Sequence, residues 1–227
     1  MYKNKKIIAI IPAREGSKGV PNKNLKKILN KTLIQYTTDA AKKSSFIDKI
    51  IVSTDSIEIK NFANAEGLVC DKLRPEELSS DTAILYDVLK YELKKYTSFA
   101  IVLLLQPTSP LRTSAIIDDA IVQFIDNEYE SAVSVHKVDL NPYLIRTINN
   151  NKLSHLLDEN STKRRQDLPS YFKVNGMLYI NYIKDILGGY VSLNDNKHPI
   201  IVPREISIDI DEIKDFAKCE EILLNLK

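Results

Sequence analysis

The sequence predicts an α/β fold with a mostly parallel sheet covered on both faces, and three observations carry that prediction. Short β-branched apolar runs alternate with segments of helical period through the first half of the chain. The strand runs are apolar at successive positions, as strands buried on both faces must be. No internal repeat or low-complexity linker divides the 227 residues, a length that supports one sizeable core. In chain order, Ile7 to Ile11 is the first strand, Leu33 to Lys43 a helix and Lys49 to Ser53 the second strand. Ile57 to Ala65 reads as helix, Leu68 to Cys70 as a short strand, Ile84 to Lys95 as helix and Phe99 to Leu105 as the strongest strand. A further helix places Ile116, Ile117, Ala120, Ile121, Phe124 and Ile125 on one face, the i, i+1, i+4, i+5 spacing of core packing.

After a strand at Ala132 to His136 the texture changes. Lys137 to Arg165 holds few periodic runs, three consecutive asparagines at Asn149 to Asn151, and two short candidate strands, Leu144 to Ile148 and Leu153 to Leu157. These predict a hairpin inserted into the sheet. Its apolar side has no evident partner in its own chain, so it is expected to meet another subunit; a surface excursion is the alternative. Strand character returns at Met177 to Tyr182 and Ile200 to Val202, and a helix from about Glu212 turns Ile213, Phe216, Ala217, Leu223 and Leu224 inward. The chain therefore reads as one domain over residues 1–227 with 137–173 as the insertion.

Composition excludes several classes. The net charge of +2 comes from 32 basic and 30 acidic residues with scattered lysines, so no basic field for nucleic acid exists. No segment approaches the roughly 20 apolar residues of a membrane span. Cys70 and Cys219 lack a Cys-x-x-Cys spacing and suit buried thiols in a reducing, cytoplasmic setting. The opening MYKNKK-IIAIIPA imitates a leader, but Pro12, Arg14 and Glu15 interrupt it at once, which favours a first strand.

The ends of parallel strands are where such sheets bind ligands. After the first strand come Ala13, Arg14, Glu15, Gly16, Ser17 and Lys18, with Gly19 next and Lys23 and Asn24 beyond Pro21. Glycines let backbone approach closely, and three spaced cations with a serine hydroxyl suit a polyphosphate. It is neither a Walker loop nor a Gly-x-Gly-x-x-Gly turn, and a merely basic surface turn is the alternative. Ser53-Thr54-Asp55 is read chiefly as the cap of the Ile57 helix. Arg74, with Leu78 to Thr82, precedes a helix starting near Ala83 whose N-terminus can face a base or phosphate; capping by Asp81 accounts for part of this segment. Gln106-Pro107-Thr108-Ser109-Pro110-Leu111-Arg112 is a stiff loop that places Gln106 at a strand tip, ready to bond a polyol. On a strand, Ile208-Asp209-Ile210-Asp211 puts two carboxylates on one face, suited to magnesium, with Asp211 as a helix cap the alternative. His136, His155 and His198 stand alone, and no serine or cysteine has the company a nucleophile needs.

Taken together, IPAREGSKGVPNKN, RP with LSSDTA, LLLQPTSPLR, RRQDLPSYFKVNGMLYI and IDIDEIKDF resemble the acylneuraminate cytidylyltransferases, including relatives that activate legionaminic and pseudaminic acids. The blocks span nearly the whole chain in family order. The Thr-Arg-Leu-Pro-Gly-Lys loop frequent in Kdo-activating relatives is absent. The resemblance implies a Rossmann-like nucleotidyltransferase that joins CTP to a nine-carbon 2-keto sugar acid, releasing pyrophosphate. It places Ala13, Arg14, Ser17, Lys18, Lys23, Asn24, Arg74 and Ala83 at the nucleotide, and Gln106, Tyr179, Asn175 and Lys173 at the sugar. It assigns Mg2+ to Asp209 and Asp211, and the chemistry to these two with Lys23 and Arg14. It further implies a homodimer in which the hairpin brings Arg165 and Gln166 to the partner's sugar site. Lys173 stands where arginine is frequent and lacks that residue's bidentate fork; Val174 replaces a common proline; and Ile84 to Asp87 is bulkier than usual.

Overall fold

The computed structural model describes residues 1–16, 19–157, 164, 167–189 and 192–225. Ser17, Lys18, Arg165 and Gln166 lie outside them. The predicted strands and helices are present except the short strand at Leu68 to Cys70, with the ends of several shifted by a few residues. The first strand, β1 (Ile7–Pro12), is flanked by β4 (Lys49–Ser53) and β5 (Ile101–Leu104), both parallel to it. The long β9 (Tyr171–Tyr182) pairs antiparallel with β5 and with β6 (Ser131–Val138), and β10 (His198–Ile201) closes the far edge parallel to β6. The six-stranded order is β10-β6-β9-β5-β1-β4, mostly parallel with one reversed strand. Val69 contributes only a bridge to Ile51 where a short strand was expected.

Alternation along β1 shows how the layers form. Ile7, Ala9 and Ile11 enter one core with α1 (Leu33–Lys42), α2 (Ile57–Ala65) and α4 (Ser114–Asp126), where Phe124 is fully buried. Ile8 and Ile10 face the other side, against Tyr86, Leu89 and Leu93 of α3 (Leu85–Leu93) and Ile183 and Ile186 of α5 (Ile183–Gly188). Each isoleucine so buried contributes about 1.5–3 kcal/mol. That side chains on both faces are covered explains the unbroken apolar runs.

Two features escape a periodicity reading. Lys27–Ile28 and Lys31–Thr32 form a small hairpin, β2 and β3, too short to leave a pattern. The later hairpin, β7 (Arg146–Asn149) with β8 (Lys152–His155), makes its own two-stranded sheet and does not join the central one. Asn150 and Asn151 at its tip both have positive φ, the primed turn that suits the strand twist and that asparagine tolerates. Ile148 and Leu153 are 73% and 71% exposed.

The element that sets the site is a third apolar cluster. Val20 of the opening loop, Ile28 and Leu33, Leu111 after β5, Ile208 and Ile210, and Phe216 and Cys219 of α6 (Ile213–Asn225) pack together. Residues some two hundred positions apart in sequence are thereby held side by side. Among the described residues no helix is long and apolar enough to cross a membrane.

Candidate active site

The C-terminal ends of β1 and β5 open into a cleft of about 540 Å³. Arg14, Lys23, Asn24, Arg74, Ala83, Gln106, Asp209 and Asp211 all line it, so eight of the sequence-predicted positions converge. Leu78, Leu85 and Val88 give its α3 side an apolar wall.

The basic and acidic halves touch through Lys23. Its ammonium donates to the Ile210 carbonyl at 2.7 Å and to Asp211 Oδ1 at 3.2 Å. Asn24 is buried and donates from Nδ2 to the Arg14 carbonyl at 2.9 Å, bracing the loop from within. Ala13 is buried off the cleft, its N–H bonded to the Ser53 carbonyl. Gly19 passes so close to the 209–211 segment that an added Cβ would lie 2.2 Å from the Asp211 carbonyl oxygen. Asn22 enters the turn before Lys23 with positive φ.

Three capping readings, those of Asp81 and Asp211 being alternatives, are corrected. Asp81 does not cap α3, whose N-cap is Ile84 with no side-chain bond; its carboxylate pairs with Arg14 at 2.7 Å. Asp55 does not cap α2; it accepts the Glu15 N–H at 2.9 Å, tying the β4 tip to the opening loop. At α6 it is Asp215 Oδ2 that accepts the Asp211 and Glu212 N–H groups, while the Asp211 side chain pairs with Lys23 and lines the cleft. In each case a local side-chain bond lost to a partner distant in sequence.

Asp209 is open to the cleft yet hemmed in by protein. Loss of bulk water pushes its carboxyl above the usual carboxylate range, and the Asp211 charge adds to this; a bond from Thr108 and the charges of Lys23 and Lys173 pull it back. The pair thus concentrates negative charge that a cation would relieve. Among the described residues no third His, Cys, Asp or Glu completes a cage. Two carboxylates with room for substrate phosphate and water fit magnesium better than a structural metal.

The sugar-side predictions separate. Gln106 lines the cleft, with Oε1 against Gly176. Tyr179 is buried and donates to Asn194 Oδ1 at 3.2 Å, lining an adjoining cavity that shares Ala83 and Leu85 with the cleft. Lys173 lines a second hollow that meets the first at Asp209, Asp211 and Glu212. Asn175 does not line the cleft. Its amide is buried in the β6–β9 bulge, accepting from Ser134 Oγ at 2.5 Å and from the Met177 N–H, and donating to Ser207 Oγ.

Behind the cleft, sequence reading passes over Glu92. This carboxyl is buried on α3 and accepts from Ser53 Oγ at 2.8 Å. Burial pushes it above its ordinary range, while the Ser53 hydroxyl and then Lys95, Lys72 and Arg74 pull it back. Burial also lowers Arg74, whose Nε donates to Ser79 Oγ at 3.2 Å. Because the folded pKa of Glu92 exceeds the unfolded one, its ionised form costs stability. That cost is absent below the ordinary value of 4.5, grows as pH rises, and is complete above the folded value. Glu92→Gln should therefore match the wild type in urea melts at low pH and exceed it increasingly toward neutral pH.

A family model described as cytidylyltransferase matches residues 8–225. The chain belongs to the cytidylyltransferase family. This family member is 35% identical over 212 residues to the N-acylneuraminate cytidylyltransferase of Escherichia coli O18:K1:H7, covering 93% of the chain and 50% of that protein. It thus spans about half the length of that relative and of similar ones from Streptococcus agalactiae. It is also 35% identical over 231 residues to the CMP-N,N'-diacetyllegionaminic acid synthase of Legionella pneumophila, covering 96% of both chains. With the pseudaminic acid cytidylyltransferase of Campylobacter jejuni the identity is 30% over 220 residues, covering 94% of this chain and 95% of that one. Among solved structures, CMP:2-keto-3-deoxy-manno-octonic acid synthetase complexed with CTP superposes with a TM-score of 0.74 at 18% identity, covering 98% of this chain and all of that one. That likeness shows the fold.

Proposed function

We propose that the chain transfers the cytidylyl group of CTP to the anomeric hydroxyl of a nine-carbon 2-keto sugar acid of the sialic, legionaminic or pseudaminic type, releasing pyrophosphate. The observation that carries this reading is the contact of Lys23 with Ile210 and Asp211, which places cations for a triphosphate beside paired carboxylates in one cleft. The names of relatives matched along their whole length support the choice of sugar class.

Attack of a hydroxyl on the α-phosphorus with loss of pyrophosphate demands positioning and charge neutralisation, not a covalent nucleophile. Arg14 and Lys23 neutralise the charge that grows on the leaving pyrophosphate. The apolar wall of Leu78, Leu85 and Val88 suits the base and ribose, and Gln106 bonds the sugar. Asp209 and Asp211 would hold Mg2+, which when bound polarises the α-phosphate and makes the attacking hydroxyl more acidic. Asp211, its side chain 71% exposed, is the carboxylate placed to accept that proton. The exposed apolar side of the β7–β8 hairpin supports a homodimer with a shared site, with the dimerisation insertion lying within 137–173, whose two ends continue β6 and β9 of the central sheet. Both cysteines are free and buried, which supports a reducing, cytoplasmic setting.

The deciding experiment incubates the protein with Mg2+ and each nucleoside triphosphate against N-acetylneuraminic, legionaminic, pseudaminic and Kdo acids, and measures pyrophosphate release. CTP with one nine-carbon acid should be turned over, by a protein that sediments as a dimer. Activity with UTP and a sugar phosphate but none with CTP would overturn the reading.

A further inference from the structure

Beneath the cleft lies a charge that the site above does not use. Arg112, at the end of the loop after β5, is 2% exposed, and among the described residues no carboxylate pairs with it. Burying a lone guanidinium is costly, so its donors must be satisfied in another way. Nη2 donates to Thr37 Oγ1 at 2.6 Å and to the Gln106 carbonyl at 3.1 Å. Nη1 donates to the same carbonyl at 3.2 Å and to the Met177 carbonyl. Nε has no partner. Burial pushes the group down to about 9, which leaves it charged at neutral pH.

The three acceptors belong to different elements: the tip of β5, the bulge of β9, and α1. Gln106 is therefore gripped twice. Its backbone is fixed from below by Arg112, and its side chain is confined by Gly176, where φ is +71° and an added Cβ would lie 2.8 Å from Gln106 Oε1. A planar fork holds its donors on two separate nitrogens in a fixed geometry, whereas the three donors of a lysine ammonium radiate from one nitrogen on a flexible stem and do not reproduce that span.

We propose that Arg112 is a positioning residue for the sugar acid, clamping Gln106 to the β9 bulge so that the Gln106 amide is held at the cleft wall. The inference rests on the reading of Gln106 as a sugar contact, and the test separates the two. Steady-state kinetics are measured for Gln106→Ala, Arg112→Lys and the double variant, with the keto acid turned over fastest by the wild type.

Gln106→Ala should raise KM for the acid about tenfold, the scale of one lost polar contact. Arg112→Lys should do nearly the same with KM for CTP within about twofold, and should add less than about twofold in the Gln106→Ala background, because the two act as a unit. If Gln106→Ala leaves KM for the acid unchanged, the reading of Gln106 fails and takes this proposal with it. If Gln106→Ala is impaired but Arg112→Lys is silent, multiplies independently, or weakens CTP equally, the positioning role alone is overturned. Should Arg112→Lys fail to fold, Thr37→Val removes one acceptor and decides by the same comparison: a selective rise in KM for the acid supports the clamp, and any other result rejects it.

Discussion

Asp211→Asn is expected to fold normally and bind CTP, yet to release pyrophosphate at least on the order of 10³-fold more slowly than the wild type, the several kcal/mol that a metal-assisted centre contributes. The side chain is mostly exposed, and its backbone is held independently through Asp215. What it gives up is one ion pair, to Lys23, in which the carboxylate is 71% exposed and the ammonium only 12%. Lys23 keeps its bond to the Ile210 carbonyl, so the phosphate side of the cleft stays in place. The amide is nearly isosteric but removes a negative charge from the carboxylate pair and a place for the proton. Calorimetry with CTP and a pyrophosphate-release assay test the two halves of the expectation separately. Unchanged turnover would exclude both a metal ligand and a base at this position. Asp209→Asn is the less clean probe, because Thr108 already bonds that carboxyl.

The fold was legible because its sheet is buried on both faces. Ile7 to Ile11 and Ile101 to Leu105 are long apolar runs only because helices cover both sides. The paired aspartates could be read from period 2 along a short segment. What could not be read were bonds between segments distant in sequence. Asp55, Asp81 and Asp211 each sit where a cap is expected, and each faces a loop far along the chain instead. Asn175 lies in a block shared with the family, but only the β6–β9 register shows that it fills a bulge opposite Ser134. Arg112 and Glu92 carry no spacing signal at all; their importance is burial, and burial of a charged residue is the property a pattern of apolar positions cannot report. The β2–β3 hairpin failed for a simpler reason, being two residues per strand.

The second large effect is expected at Gly19. A methyl group there would sit 2.2 Å from the Asp211 carbonyl oxygen and 3.3 Å from its carbon. The obstacle is backbone, and that backbone is held by Ile210 N–H to the Thr108 carbonyl at 2.8 Å and by the apolar cluster around Ile208 and Ile210. The loop must therefore move, since it is the exposed partner, and Lys23 moves with it away from Ile210 and Asp211. A displacement of about 1 Å in a site of this kind can cost about 100-fold in rate. Gly19→Ala is accordingly expected to lower kcat/KM for CTP about 100-fold while changing the melting transition little, because the two core clusters on the faces of the sheet are untouched and only Val20 of the third cluster lies beside the substitution. Near wild-type activity would mean that the opening loop and the acidic segment can separate without consequence. Activity lost together with the melting transition would mean that the contact supports the fold and not the site. The expected outcome, activity lost from an intact fold, would place the work of that glycine at the junction where the cations meet the carboxylates.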